Sequence, residues 1–506
     1  MFENQPKGLF ALALANTGER FGYYTMLAVF VLFLKENFGM TEAEAGNIYS
    51  NFLMVVYFFP FIGGILADKF GYGKMVTIGI VAMFFGYVLM AWPLGTDKPA
   101  LYAIYGALAL ISIGTGLFKG NLQVMVGNLY DDPKYAHKRD AAFSLFYMAI
   151  NLGSLFAPSA ASAMRQYALK AGWATNSGEA YHFAFAVACV SLIFSILVYM
   201  FTRSTFKHVE NSAAKSKTTN VEAASVEENP ADTRSRIVAL CLVFAVVIFF
   251  WMAFHQNGLT LTFFAEQFTN LEINSGVQSM VFNVWYLVLV IIAIYAGFSI
   301  FQSKTVKAKA FSSIAVLACV AVLVYGYFSS GEKEVTAEMF QQFNPFYVVA
   351  LTPFSMALFS WLANKGKEPS APRKIALGML VAAIGFVVIA VGSVGLLTPN
   401  EQKAAEGALA SSNWLISTYL VLTFAELLLS PMGISFVSKV APAKYKGLMM
   451  GGWFVATAIG NKLTKVGSVF WGDLPLWGVW SIFIACCLLS AIFMFSVMKK
   501  LEAVAK

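Results

Sequence analysis

Apolar residues in this chain gather in long uninterrupted blocks separated by short polar stretches, with no sign of residue-by-residue alternation. The blocks fall at about 9–34, 48–66, 75–92, 100–126, 141–164, 181–202, 237–259, 277–301, 310–328, 344–363, 375–397, 413–437, 447–470 and 477–498. Each is long enough to cross a hydrocarbon layer of ~30 Å as a helix rising ~1.5 Å per residue. Inside lipid every backbone amide must be satisfied internally, which leaves only helices or closed barrels, and barrel strands would alternate. The pattern predicts an all-α polytopic membrane protein with 14 spans.

Composition strengthens that reading. Of 506 residues, 58% are hydrophobic and 12% charged, against about a quarter charged in an ordinary soluble domain. The 35 Lys and Arg residues then orient the chain. With a cytoplasmic amino terminus, the inner loops and both tails hold 25 of them and the outer loops only six: Lys35, Lys98, Arg165, Lys170, Lys333 and Lys403. A bias of that size predicts both termini on the cytoplasmic side, as expected for a bacterial inner membrane protein. It also accounts for the net charge of +8, whose scattered cations form no face for nucleic acid.

The longest hydrophilic stretch, 203–236, reads as a cytoplasmic linker between an N-terminal six-helix bundle (1–202) and a C-terminal bundle (237–506). The first apolar block carries Glu19 and Arg20 at its centre, unlike a cleavable signal peptide. The five cysteines sit in apolar blocks, and the four histidines have no metal-ligand spacing. No nucleotide-binding motif is present. Neither an enzyme, a metal site nor a cofactor is expected.

Function is therefore sought in the few ionisable groups inside the spans. Each costs at least ~2.5–3.5 kcal/mol to insert, so each is a functional candidate by default. On the first span Asn16, Arg20, Tyr23 and Leu27 follow helical spacing and share a face, with Glu19 at its edge. Lys119 lies deep in the fourth span among glycines, in Gly114-Thr-Gly116-Leu-Phe-Lys119-Gly120. His255 lies one turn from Trp251 in the seventh span, and it titrates near neutral pH. Glu426 lies in Ala425-Glu426-Leu-Leu-Leu-Ser-Pro431-Met-Gly433, where Pro431 and Gly433 weaken the helix just beyond the carboxylate and suit a bend or gate. With the pair at about 277–328 set aside as an insertion, these groups fall on spans one, four, seven and ten. That period of three is what two six-helix halves built from three-helix repeats produce around a central cavity.

Several segments resemble known motifs. Gly64-Ile-Leu-Ala-Asp68-Lys-Phe-Gly71-Tyr-Gly-Lys74 resembles the loop motif between spans two and three of the major facilitator superfamily. Glu19-Arg20-Phe21-x-Tyr23-Tyr24, Phe143-Ser-Leu-Phe-Tyr147-Met-Ala-Ile-Asn151-Leu-Gly153-Ser154, Asn344-Pro345-Phe346 and the Glu426 to Gly433 segment, in that order, resemble the proton-coupled oligopeptide transporter family. The resemblance implies a major facilitator fold that imports di- and tripeptides by alternating access, driven by proton symport. It further implies that Arg20 and Lys119 approach the peptide carboxylate, and that Glu426 and Asn344 approach the amino terminus. Tyr23, Tyr57, Asn151, Trp251, His255 and Trp453 complete the pocket, Glu19, Glu426 or His255 carries the proton, and Asp68, Pro431 and Gly433 serve conformational change.

The chain departs from the family pattern at three positions: Asn16 replaces a glutamate, Leu27 an arginine, and His255 a glutamate. In the family the last two form a proton-responsive ion pair. Two alternatives follow, a non-peptide solute in the same fold or peptide transport without proton coupling. Lys462 and Lys465, in the thirteenth span, are expected to snorkel towards the outer surface.

Overall fold

In a computed structural model, residues 5–210, 230–405, 407–442 and 445–505 are described. Fourteen helices of at least 18 residues occur among them, one at each predicted span: α1 Lys7–Phe38, α2 Glu42–Phe70, α3 Tyr72–Ala91, α4 Lys98–Asn128, α5 Arg139–Lys170, α6 Ser177–Phe201, α7 Pro230–Phe254, α8 Val284–Gln302, α9 Val306–Ser329, α10 Phe343–Asn364, α11 Ala371–Gly392, α12 Ser412–Val440, α13 Lys446–Leu463 and α14 Leu476–Ser496. Twelve segments are long and apolar enough to cross a membrane by length and composition; α1 and α13 are not among them. In α1 the Glu19 and Arg20 charges dilute a run that is otherwise apolar from Phe21 to Leu34.

Boundaries follow local chemistry. Thr41 and Glu44 form a capping box that starts α2, and Asp97 and Asn176 cap α4 and α6 with their side chains. Three expectations are corrected. The block at 277–301 breaks in two, because Asn283 caps a fresh start for α8 after a short helix at Val277–Val281. The seventh span winds into a 3₁₀ turn at His255–Gly258 and continues as a helix to Phe268. The segment 64–74 is mostly helix, because α2 runs on to Phe70 and places Asp68 on its last turn. The stretch 211–229 of the linker lies outside the described residues; on its near side Glu210, ion-paired with Arg203, packs against Gly73.

The N-terminal half packs α1 on α5 and α6, and α4 on α2 and α3. The C-terminal half packs α11 on α12 and α14, and α7 on α13. The halves meet where α2 crosses α13 and where α5 meets α10. A two-stranded antiparallel ribbon, β1 Glu272–Ile273 with β2 Lys333–Glu334, pairs Glu272 with Glu334. It closes the base of the excursion carrying α8 and α9, so the helix pair leaves and rejoins the bundle at one point. Of the pair, α8 docks on the bundle. Val284, Leu287 and Ile291 of α8 form a separate small core with Leu155 of α5 and Phe346, Val349 and Ala350 of α10.

Candidate functional site

The buried ionisable groups of α1 neutralise each other. Arg20 donates through Nε and Nη2 to the two carboxylate oxygens of Glu19, and the side chains are 2% and 0% exposed. Its guanidinium lies 4.8 Å from the centroid of the Tyr23 ring. A charge at this depth survives only when paired and hydrogen-bonded, and here the partner is the adjacent residue. Asn16 and Leu27 are also buried. The Asn16 Nδ2 and the Tyr23 hydroxyl have no hydrogen-bond partner among the described residues.

Lys119 is different. Half-buried on α4, it sets its ammonium 4.5 Å from the centroid of Tyr57, and no carboxylate among the described residues lies within ion-pair distance. Tyr57 in turn lies 5.8 Å from the His255 ring, which stacks on Trp251 at 5.1 Å and 22°. The Trp251 indole nitrogen is buried without a partner among the described residues. His255 Nδ1 bonds Oδ1 of Asn461, and the Asn461 Nδ2 donates to the Leu53 carbonyl at 3.4 Å. Asn461 therefore ties α7, α13 and α2 together. Sequence reading passed it over, although an asparagine inside an apolar block is itself a signal. Close packing brings it there: a Cβ on Gly460 would sit 2.5 Å from the Ile248 carbonyl, so only glycine lets α13 approach α7 this closely.

On the opposite wall, Asn344 at the start of α10 donates from Nδ2 to Glu426 Oε2 at 3.0 Å and to Thr423 Oγ1 at 3.0 Å. Glu426 is half-buried, and no cation among the described residues pairs with it. The helix α12 continues unbroken through Pro431 to Val440, so the expected weakening takes the form of packing rather than a break. Gly433 receives the edge of the Trp453 ring, which occupies the space where a Cβ would stand. Asn151 spends its Nδ2 on the Tyr147 carbonyl at 3.0 Å, while Tyr147 itself is 45% exposed. Polar groups partly exposed in mid-span, on helices of both halves, mark the candidate site. Asp68 lies away from it, exposed and accepting from Tyr72 Oη at 2.6 Å.

At the end that carries Lys35, Arg165, Lys333 and Lys403, ion pairs join the two halves. There Lys35 pairs with Glu266 and Glu42, Lys403 with Glu42 at 3.0 Å, and Arg165 with Glu338 at 3.0 Å. Lys462 reaches across to Asn47 and Asn51 in the first turns of α2. Those two asparagines lie one helical turn apart and form a paired acceptor for it. The arrangement offers an unpaired cation on α4, an unpaired carboxylate on α12 and aromatic rings between, the complement of a small zwitterion with variable side chains.

A model of the POT family matches residues 74–226 and 328–471, and the unmatched stretch between them holds α7, α8 and all but the end of α9. An uncharacterized transporter, YclF, of Bacillus subtilis (strain 168) is 29% identical over 494 residues, covering 94% of this chain and 90% of that protein. The dipeptide and tripeptide permease A of Citrobacter koseri is 27% identical over 474 residues, covering 90% and 82%. Among solved structures, a peptide transporter POT in complex with sulfate superposes with a TM-score of 0.74 at 24% identity, covering 100% of this chain and 96% of that one. A POT family transporter in complex with 5-aminolevulinic acid gives 0.72 at 20%, covering 100% and 98%. With its bundle of long apolar helices and a family match over more than half its length, this chain is a membrane transporter of the POT family.

Proposed function

We propose that the protein imports di- and tripeptides by alternating access, with proton symport as the driving force. The observation that carries this reading is the placement of Lys119 and Glu426, oppositely charged and lacking charged partners among the described residues. A peptide carboxylate pairs with Lys119 and its ammonium with Glu426, assisted by Asn344. Tyr57, Trp251, His255 and Trp453 form walls that tolerate different side chains. Tyr23 and Asn151 extend the wall, and Arg20 supports the carboxylate end through the field of its ion pair rather than as a free cation.

The polar seam at the outer end corresponds to an inward-facing state. One proton crossing a membrane potential of ~150 mV supplies roughly 3.5 kcal/mol, enough for a several-hundredfold gradient of a neutral peptide. Symport requires proton and peptide to be held at the same time, so Glu426, which an arriving ammonium keeps ionised, reports occupancy and the co-transported proton falls to Glu19 or to His255. Glu19 carries the proton only if its pair with Arg20 opens. Peptide uptake into vesicles reconstituted with the purified protein, measured with and without an imposed pH gradient, tests the reading; uptake that ignores the gradient removes the proton, and no peptide flux removes the substrate class.

The second reading, peptide transport without proton coupling, is favoured by one feature. Leu27 cannot ionise and His255 is bonded to the neutral Asn461, so the ion pair of the family is replaced by uncharged contacts. Peptide exchange across vesicles without any gradient would distinguish it.

A further inference from the structure

The outer seam between α5 and the 3₁₀ turn Ala337–Gln342 that precedes α10 is built from side chains. Ser159, Ser162 and Arg165 recur every three residues on one face of α5. Ser159 donates to Gln342 Oε1 at 2.6 Å, Ser162 accepts from Thr336 Oγ1 at 2.7 Å, and Arg165 Nη2 lies 3.0 Å from Glu338 Oε1 and 3.4 Å from Oε2. From the same turn Gln341 donates to the Ala28 carbonyl of α1 at 3.0 Å. Each of these links joins one half of the molecule to the other.

The one ion pair among them is unequal. Arg165 has partners inside its own half: its Nη1 donates to Tyr181 Oη at 2.6 Å, that hydroxyl donates to Glu36 Oε1 at 2.5 Å, and Glu36 lies 3.9 Å from the guanidinium. Glu338 is 0% exposed, and its cation is on the far side of the seam. Facing the pair are Tyr181 of α6, Glu36 of α1 and Glu266 beyond α7, the last engaged by Lys35. None of these offers Glu338 a second positive charge. When the seam parts, Arg165 keeps a hydroxyl and a carboxylate, whereas Glu338 keeps hydrogen bonds from Thr336 and its own backbone but loses its counter-charge.

We propose that Glu338 is a proton-binding residue of the outer gate, taking a proton from the external medium when the Arg165 pair separates and losing it when the pair reforms. The proposal rests on alternating access as read above. The outward-open form then holds one more proton than the closed form, so external acid favours opening by up to tenfold per pH unit across the titration of this group. The sign is that of an importer that opens towards an acidic exterior.

The test is a distance measurement that needs no substrate. Spin labels at the exposed outer positions Ala171 and Glu332, in the full chain with its five cysteines replaced and embedded in lipid nanodiscs, report the width of the seam. The long-distance population is expected to rise as pH falls from about 8 to about 5. In Glu338→Gln it is expected to be high at both ends of the range, and in Ser159→Ala, which removes the uncharged link to Gln342, the pH response is expected to persist. A wild-type distance that ignores pH overturns the proposal whatever the variants do, as does a Glu338→Gln chain that retains the wild-type response. Because no peptide is involved, a failure of peptide transport and a failure of this gate are read separately.

Discussion

Lys119 and Glu426 share a property that Arg20 lacks: each is a half-buried charge with no opposite charge in contact among the described residues. Their removal should therefore be felt by substrate more than by the fold. Glu426→Gln is expected to abolish binding of peptides with a free amino end while leaving the thermal midpoint close to wild type; unchanged affinity in a ligand-induced thermal-shift assay would take Glu426 out of the site. Lys119→Ala is expected to weaken free peptides at least tenfold more than their carboxyl-amidated analogues, and equal losses for the two would count against carboxylate recognition. Glu19→Gln carries the opposite expectation. It leaves a guanidinium buried without its counter-charge, at a cost of ~3–5 kcal/mol in stability, so the thermal midpoint should drop sharply; a chain that melts like wild type would show that Arg20 finds another anion.

At the scale of helices, two glycines decide how closely elements approach. A Cβ on Gly433 would overlap the Trp453 ring, and one on Gly460 would overlap the backbone of α7 at Ile248. The two collisions differ in what can yield. A ring edge can rotate, whereas a backbone carbonyl held in a helix cannot without moving the helix. Gly433→Ala is thus expected to cost affinity through a displaced Trp453 with little loss of stability. Gly460→Leu is expected to separate α13 from α7, break the hydrogen bond between Asn461 and His255, and lower folded yield as well as uptake. A Gly460→Leu chain with wild-type yield and transport would mean that α13 tolerates a wider spacing.

At the scale of the whole molecule, the ribbon of β1 and β2 makes a separable unit of the helix pair it encloses. Replacing residues 275–331 by a short turn is expected to leave a chain that folds with a lower thermal midpoint and binds the same peptides, since it removes the small α8 core against α5 and α10 and the Phe282 ring packed on Phe340 and Phe343. Failure of that chain to fold would show that α8 is needed where the two halves meet. Much of this architecture was legible in the sequence, because lipid forces each span to be a continuous apolar block and loop cations orient them. Lys119 and Glu426 were legible as candidates too, since a charge costly enough to stand out in an apolar run marks itself, whereas Asn344 was named only through the resemblance of Asn344-Pro345-Phe346. What only the tertiary structure decided was pairing. Arg20 and Lys119 look alike as isolated cations in spans, yet one is neutralised by its neighbour and the other lies over the Tyr57 ring with no carboxylate in contact among the described residues, a difference that depends on side-chain direction. Asn461 with His255, Lys462 with Asn51 of α2, and Arg165 with Glu338 join residues 206, 411 and 173 positions apart. The cost of burying a charge is written along the chain, but the group that relieves it is chosen by packing between helices.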